Sequence, residues 1–157
     1  ILQWRFVVDC PDARNIVLCE NLNFLKTPRI ARDNHIELWY VGGNNISNID
    51  YIPDHKLTLP LYYSCDWDYD GLKIYERLQD RFARKSKSIT LLYPSPILRK
   101  SVDSPEHNSR WKHDQPFSGL IRSAYSQEAI SLIQDLIAQD EWVEEETCEL
   151  IEMVKLT

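Results

Sequence analysis

The sequence lacks the features that mark several specialised classes of protein. No apolar run approaches the length of a membrane-spanning helix, and no signal-peptide pattern is present. None of the four cysteines forms a C-x-x-C pair, and no histidine completes a zinc spacing with them. We therefore expect a reduced, cytoplasmic protein without membrane association or a structural zinc site.

Positive charge is also scarce. The 157 residues include 18 Lys and Arg against 24 Asp and Glu, which gives a formal net charge of −6. Sequence-independent binding to nucleic acid depends on Lys and Arg side chains that neutralise phosphates. A nucleic-acid partner would therefore have to be held by another domain, another subunit or a local basic patch.

Apolar runs alternate with helical segments and predict one α/β domain over residues 1–157. Most predicted strands are uniformly apolar, which is typical of a mainly parallel sheet with helices on both faces. Because the chain begins without Met inside a strand-like segment, we expect the C-terminal part of a longer protein. The predicted strands are 2–8, 16–19, 36–41, 59–64 and 89–93; the predicted helices are 22–26, 46–52, 71–84, 127–140 and 141–156, the last two forming C-terminal helices over 126–156; residues 94–118 are predicted as an irregular loop.

The most informative stretch is residues 61–72, where an apolar run is followed by Asp66, Asp68 and Asp70 and then by Gly71. Two carboxylates two residues apart on an extended backbone point to the same side. Two unit charges about 4 Å apart repel by roughly 4 kcal/mol at an effective dielectric near 20. A chain that keeps such a pair at a strand end is expected to place a cation there.

Three interpretations of this stretch compete. D-x-D-x-D-G opens an EF-hand calcium loop, but the twelfth position is Arg77, where a bidentate Glu is required. A structural role is favoured for Asp70, as the cap of a helix that starts at Gly71 or Leu72. An oxygen-ligand site for Mg²⁺ or Mn²⁺ is favoured for Asp66 and Asp68.

A further acid, Glu20, follows the first buried strand of the predicted sheet. In a parallel sheet the carboxyl ends of the strands open at one edge, so Glu20 should lie near Asp66 and Asp68. This convergence predicts a metal site built from three acids.

The order of these motifs resembles the Toprim family. An acid follows the first strand (residues 17–21), a glycine turn follows the second (39–43), and D-x-D followed by x-x-G and a helix ends the third (65–75). Over residues 14–93 the chain is similar to the Toprim domain of the topoisomerase VI A-like group, above all to the C-terminal domain of the JetD nucleases of Wadjet plasmid-defence systems. Residues 142–147 resemble the W-x-E-Q-E element of JetD-like proteins, with Glu145 where Gln is usual.

The resemblance implies a Toprim, Rossmann-like fold and Mg²⁺- or Mn²⁺-dependent cleavage of DNA in defence against plasmids or phage. Many Toprim proteins have Gly where Cys65 stands, which leaves the ligands in place. In topoisomerase-like relatives a winged-helix domain carries a nucleophilic Tyr, whereas in JetD-like relatives water would be the nucleophile; water fits this chain better, and a Tyr from another domain stays open. Glu20 could instead act as a general acid or base. The implied catalytic and metal-binding residues are Glu20, Asp66 and Asp68, with Asp70, Glu144 and Glu146 as secondary candidates; three successive glutamates are also common in a solvated first helical turn.

The implied partners are DNA, held mainly by other domains or subunits, an SMC-like ATPase complex and a second copy of the chain. Basic residues near Trp111 would suit a nucleic-acid backbone, although an exposed loop of mixed charge explains them as well. These DNA-binding candidates are Arg99, Lys100, Arg110 and Lys112. Two other functions stay open: an assembly module of an ATPase-driven complex that cuts nothing alone, and a hydrolase of small phosphate esters.

Overall fold

A computed structural model describes the backbone of residues 6–157 and the side chains of all these residues except 43–45. It shows a mixed α/β fold with a mostly parallel five-stranded sheet and a separate two-stranded sheet. The strands are β1 (Val7–Val8), β2 (Asn15–Cys19), β3 (Ile36–Tyr40), β4 (Leu61–Ser64), β5 (Thr90–Leu91), β6 (Arg99–Ser101) and β7 (Glu141–Val143); the α-helices are α1 (Pro28–Asp33), α2 (Tyr69–Ala83), α3 (Gln127–Gln139) and α4 (Leu150–Lys155).

The strand order of the larger sheet is β1-β3-β2-β4-β5, in which only β1 runs antiparallel to its neighbour. Consecutive residues of β2 and β3 are buried, from Ile16 to Cys19 and from Ile36 to Trp39, so both faces of these strands are covered. The mainly parallel sheet predicted from the uniform apolar runs is confirmed. Residues 2–5 of the predicted first strand lie outside the described residues.

The predicted helices are confirmed in part. The periodic segments 71–84 and 127–140 form α2 and α3, and Ser126 caps α3 by accepting a hydrogen bond from the Ala129 N–H. Segments 22–26 and 46–52 contain 3-10 turns. Pro28 begins α1, since proline is well tolerated in a first turn, where its missing N–H is not needed.

The predicted C-terminal helix over 141–156 is wrong in its first half. That half holds β7 and a 3-10 turn (Glu145–Thr147). Within this segment the α-helix is limited to α4. Likewise, the predicted irregular loop 94–118 contains β6, which pairs antiparallel with β7. Each of these strands has three residues, too few to show a period in the sequence.

The small β6–β7 sheet is attached to the large one through Trp67. The Trp67 N–H donates to the Val143 carbonyl at 2.8 Å, and the Val143 N–H returns a bond of 3.3 Å. The Trp67 side chain is buried in the core, edge-on to Tyr93. The segment around Asp66 and Asp68 is therefore held between β4 and the second sheet.

All four cysteines are free and buried. In the described part of the chain, no helix has the length and apolar character needed to cross a membrane.

Candidate functional site

The predicted acids lie at two strand ends in the middle of the large sheet. β2 sits between β3 and β4, so the chain goes to one side of β2 when it enters β3 and crosses to the other side when it enters β4. Such a reversal of strand order opens a crevice at the carboxyl edge of a parallel sheet. Glu20 follows β2, Asp66 and Asp68 follow β4, and the Glu20 N–H donates to the Ser64 carbonyl at 2.9 Å.

The three acids surround the start of α2. Glu20 Oε1 accepts the N–H of Asp66 at 2.8 Å. A Cβ added to Gly71 would lie 2.9 Å from Glu20 Oε1 and 3.1 Å from Asp68 Oδ1, and it would overlap the Asp66 carbonyl oxygen. The glycine of the D-x-D-x-x-G stretch is thus needed for close approach between helix and strand end.

Burial and mutual repulsion disfavour the charged forms of Glu20 and Asp66. Burial raises the pKa of Glu20 well above its usual range, and the charges of Asp66 and Asp68 raise it further. Burial also raises the pKa of Asp66, with a second contribution from Asp68. Hydrogen bonds oppose the shift in part, because Asp66 Oδ1 accepts from the Glu145 N–H at 2.8 Å and from Asn21 Nδ2 at 3.2 Å.

Asp68, and not Asp70, caps α2. Asp68 Oδ1 accepts the Gly71 N–H at 2.8 Å, whereas Asp70 lies exposed in the first turn of the helix. The predicted cap was therefore placed two residues too late. Burial raises the pKa of Asp68, and the bonds from Gly71 and from His107 act in the opposite direction.

A buried acid that was not among the predicted site residues, Glu145, joins this group. It is 1% exposed, its Oε1 accepts the Asn21 N–H at 2.9 Å, and its own N–H reaches Asp66. No partner for Oε2 is found among the described residues. Burial raises the pKa of Glu145 to about 8, and the charge of Asp66 contributes to the shift.

The neighbouring glutamates, which were secondary candidates, lie at the rim. Glu144 forms a salt bridge with Lys100, in which Lys100 Nζ lies 2.6 Å from Glu144 Oε1, and Glu146 is exposed. Both line a cavity of about 220 Å³ together with Asp66 and Lys26. The expectation of a solvated first helical turn is wrong for Glu145, because residues 145–147 form a 3-10 turn folded against the end of β2.

His107 is a second site residue that sequence reasoning missed. Its Nε2 lies 2.9 Å from Asp68 Oδ2, and its ring stacks on Trp142 with the centroids 3.8 Å apart. It belongs to the segment predicted as an irregular loop, in which no pattern distinguishes one histidine from another.

The donor set suits a hard divalent cation. Carboxylate oxygens are the ligands that Mg²⁺ and Mn²⁺ prefer. The Glu20 and Asp68 carboxyl groups lie beside Gly71, and the Asp66 carboxyl group is close enough to raise the pKa of Glu20. Their oxygens are at present turned toward protein donors, and in the described residues no three His, Cys, Asp or Glu side chains form a ready-made metal cluster. Binding a cation would require the side chains of Glu20 and Asp66 to reorient toward Asp68.

Most of the basic residues proposed to contact DNA are paired with acids. Arg99 lies 3.7 Å from Asp135, Lys100 is bound to Glu144, and Arg110 lies 3.9 Å from Asp103. Lys112 lies over the ring of Tyr69, 5.0 Å from its centroid. Of the four, Lys112 is thus the one that the structure places beside the start of α2.

Comparison with protein-family models, with curated proteins and with solved structures found no match to this chain. The chemistry of the crevice therefore has to be argued from its own residues.

Proposed function

We propose that this chain is the Toprim-like catalytic domain of a DNA endonuclease that depends on Mg²⁺ or Mn²⁺, of the JetD-like kind that acts against plasmids or phage. The observation that carries the proposal is the meeting of Glu20, Asp66 and Asp68 at the carboxyl edge of a parallel sheet, at the point where the strand order reverses. The Toprim assignment itself rests on this placement together with the D-x-D-x-x-G stretch.

Residues of this chain would hold the cation, transfer protons and contact the substrate. Glu20, Asp66 and Asp68 would hold the cation, which supplies charge neutralisation at the scissile phosphate. Alternatively, Glu20 would not bind the cation and would act as the general acid or base on the attacking or leaving oxygen, a role that its raised pKa suits. The cavity over Asp66 gives a phosphodiester access, and Lys26 at its rim offers positive charge to the substrate.

A second candidate function, an assembly module without activity of its own, is favoured by the charge of the surface. The net charge is −6, and Arg99, Lys100 and Arg110 are neutralised by acids of the chain. Such a surface binds DNA weakly, so the two functions must be separated by experiment.

The test combines metal binding with cleavage. Mn²⁺ is titrated calorimetrically into the wild-type chain, Glu20→Gln, Asp66→Asn and Asp68→Asn, and supercoiled plasmid is incubated with the same proteins at low salt. Asp80→Asn is the matched control, because it removes a carboxylate of α2 that is exposed and paired with Arg84. Urea unfolding confirms that each variant is folded.

The nuclease would be supported by saturable Mn²⁺ binding and metal-dependent nicking. Asp80→Asn should keep both activities, and the three site variants should lose them. Binding without nicking, both by the chain alone and by the chain fused to a sequence-independent DNA-binding domain, would overturn the nuclease in favour of the assembly module. Absence of binding, or binding that all variants retain, would overturn the metal site itself. Hydrolysis of a small phosphomonoester in place of DNA would identify a small-molecule phosphatase.

A further inference from the structure

His107 makes a direct hydrogen bond to one of the proposed metal-binding acids. Its Nε2 lies 2.9 Å from Asp68 Oδ2, and the side chains of the two residues are only 8% and 7% exposed. We assign the hydrogen to Nε2, because an ionised Asp68 carboxylate can only accept. The bond is therefore N–H to carboxylate, with little water to compete for it.

The orientation of the His107 ring is fixed from other sides. It stacks on Trp142 at 3.8 Å with an interplanar angle of 13°, and its Nδ1 lies 3.3 Å from the Val102 carbonyl. The Arg110 guanidinium donates to the carbonyl of His107 itself. The loop is also fastened to α2, because Ser109 Oγ accepts the Asp70 N–H at 3.0 Å.

The consequence is that both oxygens of Asp68 are held. Oδ1 accepts the Gly71 N–H at the start of α2, and Oδ2 accepts from His107. With a donor on each oxygen the plane of the carboxyl group cannot turn freely. Each oxygen keeps a further lone pair, so the group can still bind a cation while it is held.

We propose that His107 is a positioning residue, which fixes the carboxyl plane of Asp68 so that Asp68 can bind Mg²⁺ or Mn²⁺ together with Glu20 and Asp66. The proposal rests on the proposed function, because it concerns the same cation site. Trp142 of β7 acts one step further away by supporting the ring. The small β6–β7 sheet and the segment between its strands would then serve the site and not merely cover it.

Two substitutions separate the hydrogen bond from the stacking. His107→Phe keeps a ring that can stack on Trp142 but removes the donor to Asp68. His107→Gln removes the ring but keeps an N–H donor that can reach the same oxygen. His113→Phe is the matched control, because His113 makes a similar bond of 2.8 Å to Asp140 at an exposed position.

The first readout is the dissociation constant for Mn²⁺. We expect His107→Phe to weaken binding about 10- to 100-fold, as is usual when a partner that orients a metal ligand is lost. His107→Gln should recover most of that loss, and His113→Phe should bind as the wild type does. Equal losses in His107→Phe and His107→Gln would overturn the proposal, since they would identify His107 as a direct ligand or as a packing residue. Wild-type affinity in His107→Phe would overturn it as well.

The second readout needs no metal and keeps this proposal separate from the proposed function. In ¹⁵N-labelled, metal-free protein, His107 should show a protonated Nε2 whose hydrogen exchanges slowly with water. Asp68→Ala should remove that protection and leave the signal of His113 unchanged. An unprotonated Nε2, or protection that survives Asp68→Ala, would overturn the positioning role even if the chain binds Mn²⁺ and cuts DNA. The expected spectra with no Mn²⁺ binding would leave the bond intact and overturn the metal site.

Discussion

Buried acids occur at two places in this fold, and their negative charge is balanced differently at each. Glu37 of β3 is fully buried and receives Lys56 Nζ at 2.6 Å, Trp39 Nε1 at 2.8 Å and the Cys10 N–H at 3.0 Å. At the other group, formed by Glu20, Asp66, Asp68 and Glu145, the donors are backbone amides, Asn21 and His107. In the part of the chain that the structure describes, no Lys or Arg lies within 4.0 Å of these four acids.

The difference shows what each group needs in order to be ionised. A buried carboxylate with its own ammonium group and further donors is complete, so Glu37 has a structural role. Four carboxyl groups without a lysine or arginine repel one another, and burial adds to the cost of charging them. His107 beside Asp68 can supply at most one positive charge. Ionising all four acids therefore needs positive charge from outside the chain, which is the physical basis for expecting a cation there.

Lys56→Met should have the largest effect on stability. It leaves Glu37 buried without its counter-ion, and loss of one partner of a buried pair typically costs about 3–5 kcal/mol. The lower end is expected, because the Lys56 side chain is 23% exposed and water can partly replace it. Urea unfolding at pH 7 measures the loss.

The double variant Glu37→Gln/Lys56→Met is the control for this prediction. It removes both charges together and should be less destabilised than Lys56→Met alone. Asp66→Asn at the other group should be neutral or stabilising in the absence of metal. If Lys56→Met and Asp66→Asn behaved alike, the contrast between the two groups would be lost.

The pH dependence of stability should come from Glu20, Asp66, Asp68 and Glu145, which we call the uncompensated group because no Lys or Arg among the described residues neutralises these acids. The folded protein holds protons on Glu20 and Glu145 that the unfolded chain releases above its ordinary pKa of 4.5. Stability is therefore greatest on the acid side and falls as the pH rises toward about 8, the folded pKa of Glu145. Each retained proton contributes a slope of about 1 kcal/mol per pH unit.

Urea unfolding between pH 5.5 and 8 in the presence of a chelator measures this slope. Glu20→Gln should flatten it, because the amide has no proton to release. A free energy of unfolding that stayed constant over this range would show that the acids are already ionised in the folded state. The comparison with Glu37 would then lose its electrostatic basis.

The part of the site that follows from local pattern was predictable. Buried strands are marked by uniform apolar runs, and the rule that parallel strands open at one edge places Glu20 near Asp66 and Asp68. These residues are each adjacent to a strand that the pattern identifies. Their mutual contact then depends only on strand order, which the structure gives as β3-β2-β4.

The part that depends on distant contacts was not predictable. His107 reaches Asp68 across 39 residues, and Glu145 reaches Asn21 across 124. Both are brought in by the β6–β7 pairing, whose strands are too short to show a period. The sequence pattern WVEEET could have drawn attention to Glu145, but a run of glutamates is usually solvated, and only the fold shows that the middle one turns inward.

Gly71→Ala should reverse an ordinary helix rule. Alanine in a helix normally stabilises by about 1 kcal/mol relative to glycine. Here the new methyl group would overlap the Asp66 carbonyl and approach Glu20 Oε1, so we expect a loss of about 2 kcal/mol, as for overpacking in a core. Urea unfolding gives the sign, and Mn²⁺ titration of the variant should show weakened binding because the strand end is displaced. A stabilised variant with unchanged Mn²⁺ affinity would show that α2 can move away from the acids at little cost.

Glu145→Gln should have the smallest effect, and the effect should depend on pH. At pH 6 Glu145 is protonated in the folded protein, since its pKa is raised to about 8, and glutamine has the same shape and keeps the oxygen that accepts the Asn21 N–H. Its stability should then match that of the wild type within about 0.5 kcal/mol. At pH 8 the variant should be the more stable of the two, because the wild type begins to charge a carboxyl group whose charged form is disfavoured by burial and by Asp66. Urea unfolding at the two pH values tests this prediction.

Mn²⁺ titration of Glu145→Gln shows whether Glu145 binds the cation. Unchanged affinity would assign Glu145 to the wall of the crevice, whereas a loss as large as that of Asp66→Asn would make it a fourth ligand, and the uncompensated group would then be the metal centre in its entirety.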